Sequence, residues 1–366
     1  MDMPRKPRIL VAEDTPEHVH ILIDTLRHEY AVMVATSGER ALEIAQGKSR
    51  PEVILLDVMM PGMNGYEVCR RLKQDPVTRD IPVIFMSALS EEQDERQGLE
   101  AGGLDYISKP FRPELVRARI HNQLELKRHR DHLEDMVRER TRELILTQDA
   151  VIYGLGILAE FRDIETGMHI RRTQSYVFEL AKQLRNKPRF AGLFDDETLH
   201  LLMQSAPLHD IGKVGIPDHI LRKPGPLTPD EFEQIKLHTM YGRSVLEKIE
   251  LSMLENVPSS FLRFAKEVTQ THHESWDGSG YHGMKGDQIP VSGRLMALAD
   301  VYDALKSKRV YKEAFEHERV VKIMTEGDGR TRPEQFDPDI LQAFLDIHET
   351  FRTIAHNLQD ECEACS

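Results

Sequence analysis

Histidine and carboxylate residues occur in the second half of the chain at spacings suited to metal ligands. Eleven of the 17 histidines follow residue 150. Glu165 and His169 are four residues apart, so both side chains would project from one face of a helix. In the adjacent pairs His209–Asp210 and His272–His273 the two side chains would diverge by about 100° on a helix, as expected if each member binds a different ion. These residues therefore suggest a centre with more than one metal ion.

Eight residues in this half of the chain could supply nitrogen or oxygen ligands to metal ions. They are Glu165, His169, His209, Asp210, His238, His272, His273 and Asp300. One tetrahedral zinc ion cannot use eight donors, and imidazole with carboxylate but without thiolate favours Fe, Mn, Ni, Co or Zn. Two such ions can activate water and clamp a phosphodiester for in-line attack. We predict phosphoester hydrolysis with Asp210 and Lys213 as catalytic residues, because Lys213 would stabilise the charge that develops on the phosphorane or the leaving oxygen.

A second group of polar residues follows short apolar runs near the start of the chain. Glu13 and Asp14, Asp57, Ser87 and Lys109 each come at the end of a predicted strand, where an open α/β sheet binds its ligand. Clustered carboxylates require a hard divalent cation, usually Mg²⁺. Asp57 would then be a carboxylate nucleophile for a phosphoryl group. Lys109 would neutralise the oxygens of that phosphoryl group, and Ser87 would hydrogen-bond the phosphate once it is bound to Asp57.

The predicted secondary structure that positions these residues changes along the chain, from alternating strands and helices to helices alone. The first domain contains five short apolar runs, which lie at residues 8–12, 31–36, 52–56, 82–86 and 104–108. Amphipathic stretches of helical length separate them, and this alternation predicts a doubly wound, five-stranded parallel sheet. After residue 151 the strand patterns end, so we expect the second domain to be all-α. The predicted domains are 1–125 and 151–366, with a helical linker at 126–150.

The linker prediction depends on a long segment without helix breakers. Residues 114–153 contain neither proline nor glycine, which predicts one long helix. A heptad-like seam runs along it and is interrupted by three polar residues. The seam consists of Leu126, Leu133, Val137, Leu144 and Val151, and the interruptions are Arg130, Arg140 and Gln148. We predict a homodimer that pairs through this helix, with a solvated connector helix as the alternative.

Composition limits the class of protein. A chain of 366 residues exceeds one usual core, which suggests two domains. The net charge of −13 argues against DNA binding, and no apolar run reaches the length of a membrane-spanning helix. The chain start lacks the apolar core of a secretory signal, so we expect a cytoplasmic protein without membrane insertion. We assign no role to the cysteine pair Cys362 and Cys365.

Two stretches of the first domain resemble the receiver domain of two-component response regulators. They are Asp57–Gly65 and Ser108–Pro110, and the resemblance extends over residues 7 to about 125. It implies a flavodoxin-like fold and a cognate sensor histidine kinase as partner. It also implies that Asp57 is the phosphoacceptor, that Glu13, Asp14, Asp57 and the Met59 carbonyl bind Mg²⁺, and that Tyr106 is the switch partner of Ser87.

Four stretches of the second domain resemble the HD-GYP branch of the HD phosphohydrolases. They are Arg162–His169, His209–Lys213, His272–Tyr281 and Ala299–Leu305. The resemblance implies a bi- or trinuclear metal centre that cleaves cyclic di-GMP to linear pGpG, and often on to GMP. It also implies four substrate-binding residues, which are Gly280, Tyr281, Arg309 and Lys312. One departure is plain, since His282 stands where the family has proline.

Three alternatives stay open from the sequence. The second domain is either a phosphodiesterase controlled by phosphorylation of Asp57, a cyclic-dinucleotide receptor or adaptor with weak turnover, or a hydrolase that prefers cyclic GMP-AMP or pGpG. The complete set of metal donors favours an enzyme, whereas His282 favours the receptor. A further alternative is that this protein binds a diguanylate cyclase or an effector protein.

Overall fold

The computed structural model describes residues 5–88, 100–161, 167–252, 260–307 and 314–359. The chain divides into two compact units, residues 1–142 and residues 143–366. The division falls inside the predicted 126–150 linker, whose boundaries stay a prediction.

The first unit contains a parallel sheet of five strands in the order β2-β1-β3-β4-β5. The strands are β1 (Arg8–Ala12), β2 (Ala31–Ala35), β3 (Val53–Asp57), β4 (Val83–Ser87) and β5 (Asp105–Ser108). The helices between them are α1 (Pro16–Leu26), α2 (Gly38–Gln46) and α3 (Gly65–Gln74). The predicted doubly wound, flavodoxin-like sheet is confirmed.

The three central strands are almost completely buried, because helices cover both faces of the sheet. All five residues of β3 and of β4 are buried, as are four of the five residues of β1. This burial explains why these strands appear in the sequence as continuous apolar runs and not as alternating patterns. The polar residues Asp57 and Ser87 follow these apolar runs because each is the last residue of its strand.

Gly65 shows how tightly the loop after β3 is folded. A Cβ atom at this position would lie 2.2 Å from the carbonyl oxygen of Asp57, so no larger residue fits without displacing the backbone. The neighbouring Asn64 caps α3 by accepting a hydrogen bond from the backbone N–H of Glu67. Together they return the chain from the strand end directly into the helix.

One long helix, α4 (Pro113–Glu160), contains 48 residues and includes the stretch predicted to be helical. Its first turns bury Val116, Ile120 and Leu124 against the sheet. Farther along, the five apolar residues of the predicted seam are all more than half exposed. Within the described residues the seam is therefore an apolar stripe that this chain does not cover.

The second unit is helical throughout the part of the chain that the structure describes. Its helices are α5 (Gly167–Leu184), α6 (Asp196–Ser205), α7 (Asp218–Leu221), α8 (Pro229–Ser252), α9 (Ser260–Thr271), α10 (Val291–Lys306), α11 (His317–Glu326) and α12 (Pro338–Asn357). Buried aromatic residues join α5, α10 and α12: the ring of Tyr176 stacks on that of Phe351 at 4.3 Å and lies 5.2 Å from that of Tyr302. The predicted all-α second domain is confirmed. None of the described helices is both long enough and apolar enough to cross a bilayer.

Two glycines allow close packing in this unit: Gly212 brings the 3₁₀ turn Ile211–Gly215 against α8, and Gly242 brings α8 against α9. A Cβ on Gly212 would lie 1.8 Å from the carbonyl oxygen of His238, and one on Gly242 would lie 2.3 Å from the Thr269 side chain. Both close approaches require glycine, because an added Cβ would overlap the neighbouring atom at these distances. They bring residues before the turn next to residues of α8 and α9.

Candidate functional site

The first candidate site lies at the carboxyl ends of β1, β3 and β5. Glu13 and Asp57 are buried, and Asp14 is half-buried beside them. Oxygen atoms of these three carboxylates lie within 4.8 Å of one another. The Lys109 Nζ atom lies 2.8 Å from Glu13 Oε2 and 2.9 Å from Asp57 Oδ2. The structure thus brings together four of the residues that the sequence predicted for a magnesium and phosphoryl site.

The charges of this site depend on both burial and Lys109. Burial raises the pKa of Asp57, and Lys109 opposes that change only in part. Burial alone would also raise the pKa of Glu13, but hydrogen bonds from Lys109 and His18 outweigh it, so that pKa is lowered. Several oxygen donors with one fixed cation are a suitable environment for Mg²⁺ and for a phosphoryl group.

The residues predicted to report phosphorylation lie on the two adjacent strands. Ser87 ends β4, and its carbonyl accepts a hydrogen bond from the Lys109 N–H at 2.8 Å. Tyr106 on β5 lies beside Phe85, with ring centroids 5.5 Å apart. Met59 follows β3 with its side chain exposed, and its N–H lies 3.4 Å from Asp57 Oδ1.

The second candidate site is a buried group of histidines and carboxylates in the helical unit. Ligand atoms of Asp210, His238, His272 and His273 lie within 4.8 Å of one another. Asp210 Oδ1 lies 3.2 Å from His238 Nε2 and 3.6 Å from His272 Nε2. We call these four residues the first cluster.

Asp210 also approaches a second cluster, formed by Glu160, His169 and His209, whose ligand atoms again lie within 4.8 Å of one another. Asp210 Oδ2 lies 3.1 Å from His209 Nε2. Asp300 Oδ1 lies 3.7 Å from His169 Nε2. The structure therefore brings together seven of the eight predicted donors, with Asp210 between the two clusters.

The second nitrogen of each of three histidine rings is held by the backbone. The Nδ1 atoms of His209, His238 and His272 lie 2.7–3.1 Å from carbonyl oxygens three or four residues earlier. A carbonyl only accepts, so each Nδ1 carries the proton and each Nε2 presents a lone pair. This is the arrangement in which metal-binding histidines are usually held.

His169 is oriented by a carboxylate instead. Its Nδ1 donates to Asp303 Oδ2 at 2.8 Å, and Arg172 contacts both oxygens of Asp303 at 2.7 and 2.9 Å. Burial would raise the pKa of Asp303, but His169 and Arg172 lower it to about 2. The buried carboxylate is therefore ionised and fixes the His169 ring.

The donors fit metal ions better than they fit one another. The lone pairs of His238 Nε2 and His272 Nε2 face each other at 3.4 Å, and no proton is available between them when both Nδ1 atoms are protonated. Within the described residues, the buried His209 Nε2 and Asp210 Oδ1 meet no well-aligned hydrogen-bond partner. Unsatisfied buried polar atoms are costly, and a cation bound to these atoms would remove that cost.

The pKa directions describe an ionised Asp210 beside a neutral His273, whereas the pKa of His209 changes in the opposite direction. Burial would raise the pKa of Asp210, but Lys213 and His209 hold it well below its usual value. Burial and the neighbouring His272 and His238 lower the pKa of His273 well below normal. Burial alone would lower the pKa of His209, but Asp210 outweighs it and raises that pKa.

Three of the residues predicted to act on the substrate, Lys213, Gly280 and Tyr281, lie beside the first cluster. Lys213 Nζ lies 2.8 Å from Asp210 Oδ2. The Tyr281 ring lies 4.5 Å from the His273 ring, and burial raises the pKa of Tyr281 to about 12, so its hydroxyl remains a donor at neutral pH. Gly280 packs where a Cβ would lie 2.5 Å from Glu274 Cα.

Comparison with known proteins assigns both units. The sequence matches the response regulator receiver domain over residues 9–121 and the HD domain over residues 169–340. A protein of Vibrio cholerae named probable cyclic di-GMP phosphodiesterase is 44% identical over 361 residues, which cover 96% of this chain and 80% of that protein. The chain belongs to the response regulators that carry an HD domain.

Two further relatives of this response regulator family come from other bacteria. A cyclic di-GMP phosphodiesterase of Thermotoga maritima is 32% identical and covers 91% of this chain and 88% of its own length. The cyclic di-GMP phosphodiesterase response regulator RpfG of Xanthomonas campestris is 34% identical, with 81% of this chain and 75% of that protein covered.

Three predicted residues of this HD-domain response regulator, Glu165, Arg309 and Lys312, lie outside the described residues, as do Cys362 and Cys365. The structure also adds residues that the sequence analysis missed. Glu160 is buried with Oε1 at 3.8 Å from His169 Nε2, and Asp303 and Arg172 form the ion pair behind that ring. The spacing from Asp300 to Asp303, one helical turn, was the available signal for Asp303.

His317 and His348, which the sequence left without a role, contact each other away from both clusters. His317 Nε2 lies 2.9 Å from His348 Nδ1, and His317 Nδ1 lies 2.9 Å from the Tyr302 hydroxyl. With Glu349 they form a third group of closely spaced donors. The hydrogen bonds already satisfy the buried His317, so we interpret the group as part of the packing between α10, α11 and α12.

Proposed function

We propose that this protein is a phosphorylation-regulated phosphodiesterase that hydrolyses cyclic di-GMP to pGpG and then to GMP. The observation that carries the proposal is the pair of donor clusters with Asp210 between them, placed beside Lys213 and Tyr281. The names of its relatives supply the substrate, since proteins similar over most of this chain are named cyclic di-GMP phosphodiesterases.

The two clusters provide places for two divalent ions of Fe, Mn, Ni, Co or Zn. His238, His272 and His273 would hold one ion, His169, His209 and Asp300 the other, and Asp210 would contact both. The buried Glu160 belongs to the second cluster and would contact its ion, and Glu165 is a further carboxylate that would serve a third ion. Bound ions of this kind supply Lewis acidity toward the phosphate oxygens and lower the pKa of water.

The chain's own groups would bind and orient the substrate around this centre. Lys213 Nζ lies 2.8 Å from Asp210 Oδ2. This ammonium group would place a positive charge near the phosphate as negative charge develops on its oxygens. The Tyr281 hydroxyl and the backbone at Gly280 would contact the dinucleotide. Arg309 and Lys312 would bind its phosphates, because a guanidinium offers paired donors that match phosphate oxygens.

We propose that a sensor histidine kinase is the source of the phosphoryl group that controls this activity. Asp57 would accept the group with Mg²⁺ held by Glu13, Asp14 and the Met59 carbonyl. Lys109 would move its contact from carboxylate to phosphate oxygens, and Ser87 and Tyr106 would respond to the new group. The support is the geometry of Asp57 and Lys109, 2.9 Å apart at the end of the sheet.

A turnover assay on the metal-loaded protein tests the proposal. Cyclic di-GMP, cyclic GMP-AMP and pGpG would be incubated separately with the protein, and the products followed by chromatography. We expect pGpG and then GMP from cyclic di-GMP, and no product with His272→Ala, which removes a predicted ligand. Tight binding of a cyclic dinucleotide without any product would contradict the enzyme and support a receptor.

The control by phosphorylation is tested with the same assay. Turnover by the wild type and by Asp57→Ala would be compared with and without a small phosphodonor. We expect the phosphodonor to change the rate of the wild type only. Equal rates in all four measurements would contradict phosphorylation control while leaving the phosphodiesterase proposal intact.

One relative favours a second candidate substrate. A protein of Vibrio cholerae named 3'3'-cGAMP-specific phosphodiesterase 2 is 36% identical over 215 residues, which cover 58% of this chain and 37% of that protein. The same donor clusters would cleave either cyclic dinucleotide, because the reacting phosphodiester is the same. Faster turnover of cyclic GMP-AMP than of cyclic di-GMP would favour this candidate.

A further inference from the structure

The loop between α9 and α10 carries Tyr281 and the one departure from the family motif, His282. The buried carboxylate of Glu274 organises this loop from inside: its Oε1 accepts the N–H of His282 at 2.7 Å, and its Oε2 accepts the N–H of Met284 at 2.8 Å. Proline at position 282 would have no N–H to donate. The residue found here therefore makes a backbone hydrogen bond that the family residue cannot make.

The side chain of His282 makes a second connection, to helix α8. Its Nε2 lies 2.9 Å from the hydroxyl oxygen of Thr239, a fully buried residue next to His238. That hydroxyl already donates its single hydrogen to the Lys236 carbonyl at 2.8 Å. The hydroxyl oxygen must then accept, so the proton lies on His282 Nε2.

We propose that His282 is a positioning residue that fastens this loop to α8 through Thr239 and thereby holds Tyr281 beside the first cluster. Tyr281 is one residue before His282, and its ring packs 4.5 Å from the His273 ring and 5.8 Å from the Phe232 ring of α8. In this protein, two hydrogen bonds restrict a loop that proline would restrict through its fixed φ. The effect on substrate rests on the proposed function, whereas the fastening itself does not.

Hydrogen exchange on the full-length, metal-free protein tests the fastening without any turnover. We expect the amides of Tyr281 and Met284 to exchange about two- to tenfold faster in His282→Ala and in Thr239→Val, the range expected for one lost hydrogen bond. His282→Gln keeps the backbone N–H and an N–H donor at similar reach, so exchange should stay near that of the wild type. His282→Pro should exchange faster than the wild type, although it restores the family residue.

Two controls separate this effect from general unfolding. His219→Ala removes an exposed imidazole from α7 and should leave exchange in the loop unchanged. The double variant His282→Ala/Thr239→Val should exchange no faster than the faster of its two single variants, because both remove the same bond. Unchanged exchange in His282→Ala, or exchange in His282→Gln as fast as in His282→Ala, would overturn the proposal.

Kinetics test whether the fastening serves the substrate. We expect the KM for cyclic di-GMP to rise about two- to tenfold in His282→Ala, with kcat within about twofold of the wild type and with recovery in His282→Gln. Faster exchange with an unchanged KM would overturn the positioning role of His282. If the wild type has no turnover while His282→Ala exchanges faster, the proposed function fails and the fastening is supported.

Discussion

Single residues determine how the histidines of the helical unit present their nitrogens. Backbone carbonyls hold the Nδ1 atoms of His209, His238 and His272, and the ionised Asp303 holds that of His169. The four Nε2 atoms consequently face inward toward Asp210 or its neighbours. The residues behind the rings are thus as important for the site as the rings themselves.

Replacing Asp303 tests this supporting role. In Asp303→Asn, the buried Arg172 loses its ion pair with a carboxylate, and His169 loses the carboxylate that orients its ring. We expect the free energy of unfolding to fall by about 3–5 kcal/mol and the metal affinity to fall about 10- to 100-fold. Urea unfolding of the metal-free protein and a metal titration measure the two effects.

The same pair predicts a dependence of stability on pH. The pKa of Asp303 is about 2 in the folded protein and about 3.9 in an unfolded chain. A lowered pKa means that the stabilisation is present above about pH 4 and is lost as the pH falls toward 2. The stability difference between the metal-free wild type and Asp303→Asn should therefore shrink as the pH falls below about 4. A difference that stayed constant down to pH 2 would contradict this assignment.

Lys213 is predicted to act on the reaction and not on metal binding. Its Nζ contacts Asp210, but an ammonium group cannot be a ligand. We expect Lys213→Met to lower kcat about 100-fold, the usual effect of removing one charge-stabilising donor, while the metal content measured by elemental analysis stays the same. Lys248→Met, at an exposed lysine of α8, is the matched control and should behave like the wild type.

At the scale of the elements, the close packing of the 3₁₀ turn Ile211–Gly215 against α8 joins residues from different helices. His209 and Asp210 precede the turn, and His238 lies on α8. The contact depends on Gly212, because its missing side chain leaves room for the His238 carbonyl. Adding one methyl group at Gly212 would therefore move the predicted ligands that precede the turn away from His238.

Gly212→Ala tests that packing. The added Cβ would lie 1.8 Å from a backbone oxygen, which cannot be relieved by a side-chain rotation, so we expect a loss of about 1–3 kcal/mol of stability and weaker metal binding. Gly154→Ala is the control, since a Cβ there meets no atom within 4 Å. In helix α4 it should raise the thermal midpoint slightly, because alanine favours the helix over glycine by about 0.5–1 kcal/mol. Equal midpoints for the two variants would show that the close approach at Gly212 is unimportant.

At the scale of the whole molecule, the exposed stripe on α4 supports the proposed homodimer. Leu126, Leu133, Val137, Leu144 and Val151 repeat at steps of four and seven residues, as in a coiled-coil seam. All of them are exposed in the single chain. A second copy of the same helix would cover an apolar stripe of this period.

Leu144→Glu should convert the proposed dimer into a monomer, because it would place a carboxylate in the seam opposite its own copy. Leu146→Glu is a close control: Leu146 is similarly exposed, at 60% against 67% for Leu144, but lies off the stripe. Sedimentation equilibrium of both variants and of the wild type measures the effect. Dissociation by both variants alike, or by neither, would argue against pairing through this stripe.

The sequence determined the order of the elements and most of the chemistry. Continuous apolar runs predicted the buried parallel strands, because a strand covered on both faces needs apolar residues throughout. The polar residues at the ends of those runs predicted the first site, since parallel strands place their carboxyl ends at one edge. Motif spacing likewise identified seven donors that the fold brings together.

Only the tertiary structure determines which of the predicted metal donors lie close to one another. Sequence spacing relates residues within one helix, as for Asp300 and Asp303, but His169, His209, His238 and His272 lie on separate segments whose approach depends on packing. The position of Asp210 between two clusters depends on the close approach at Gly212, whereas the burial of Glu160 and the His282–Thr239 hydrogen bond depend on how helices and loops pack together. Such contacts join residues distant along the chain, and no local pattern in the sequence encodes them.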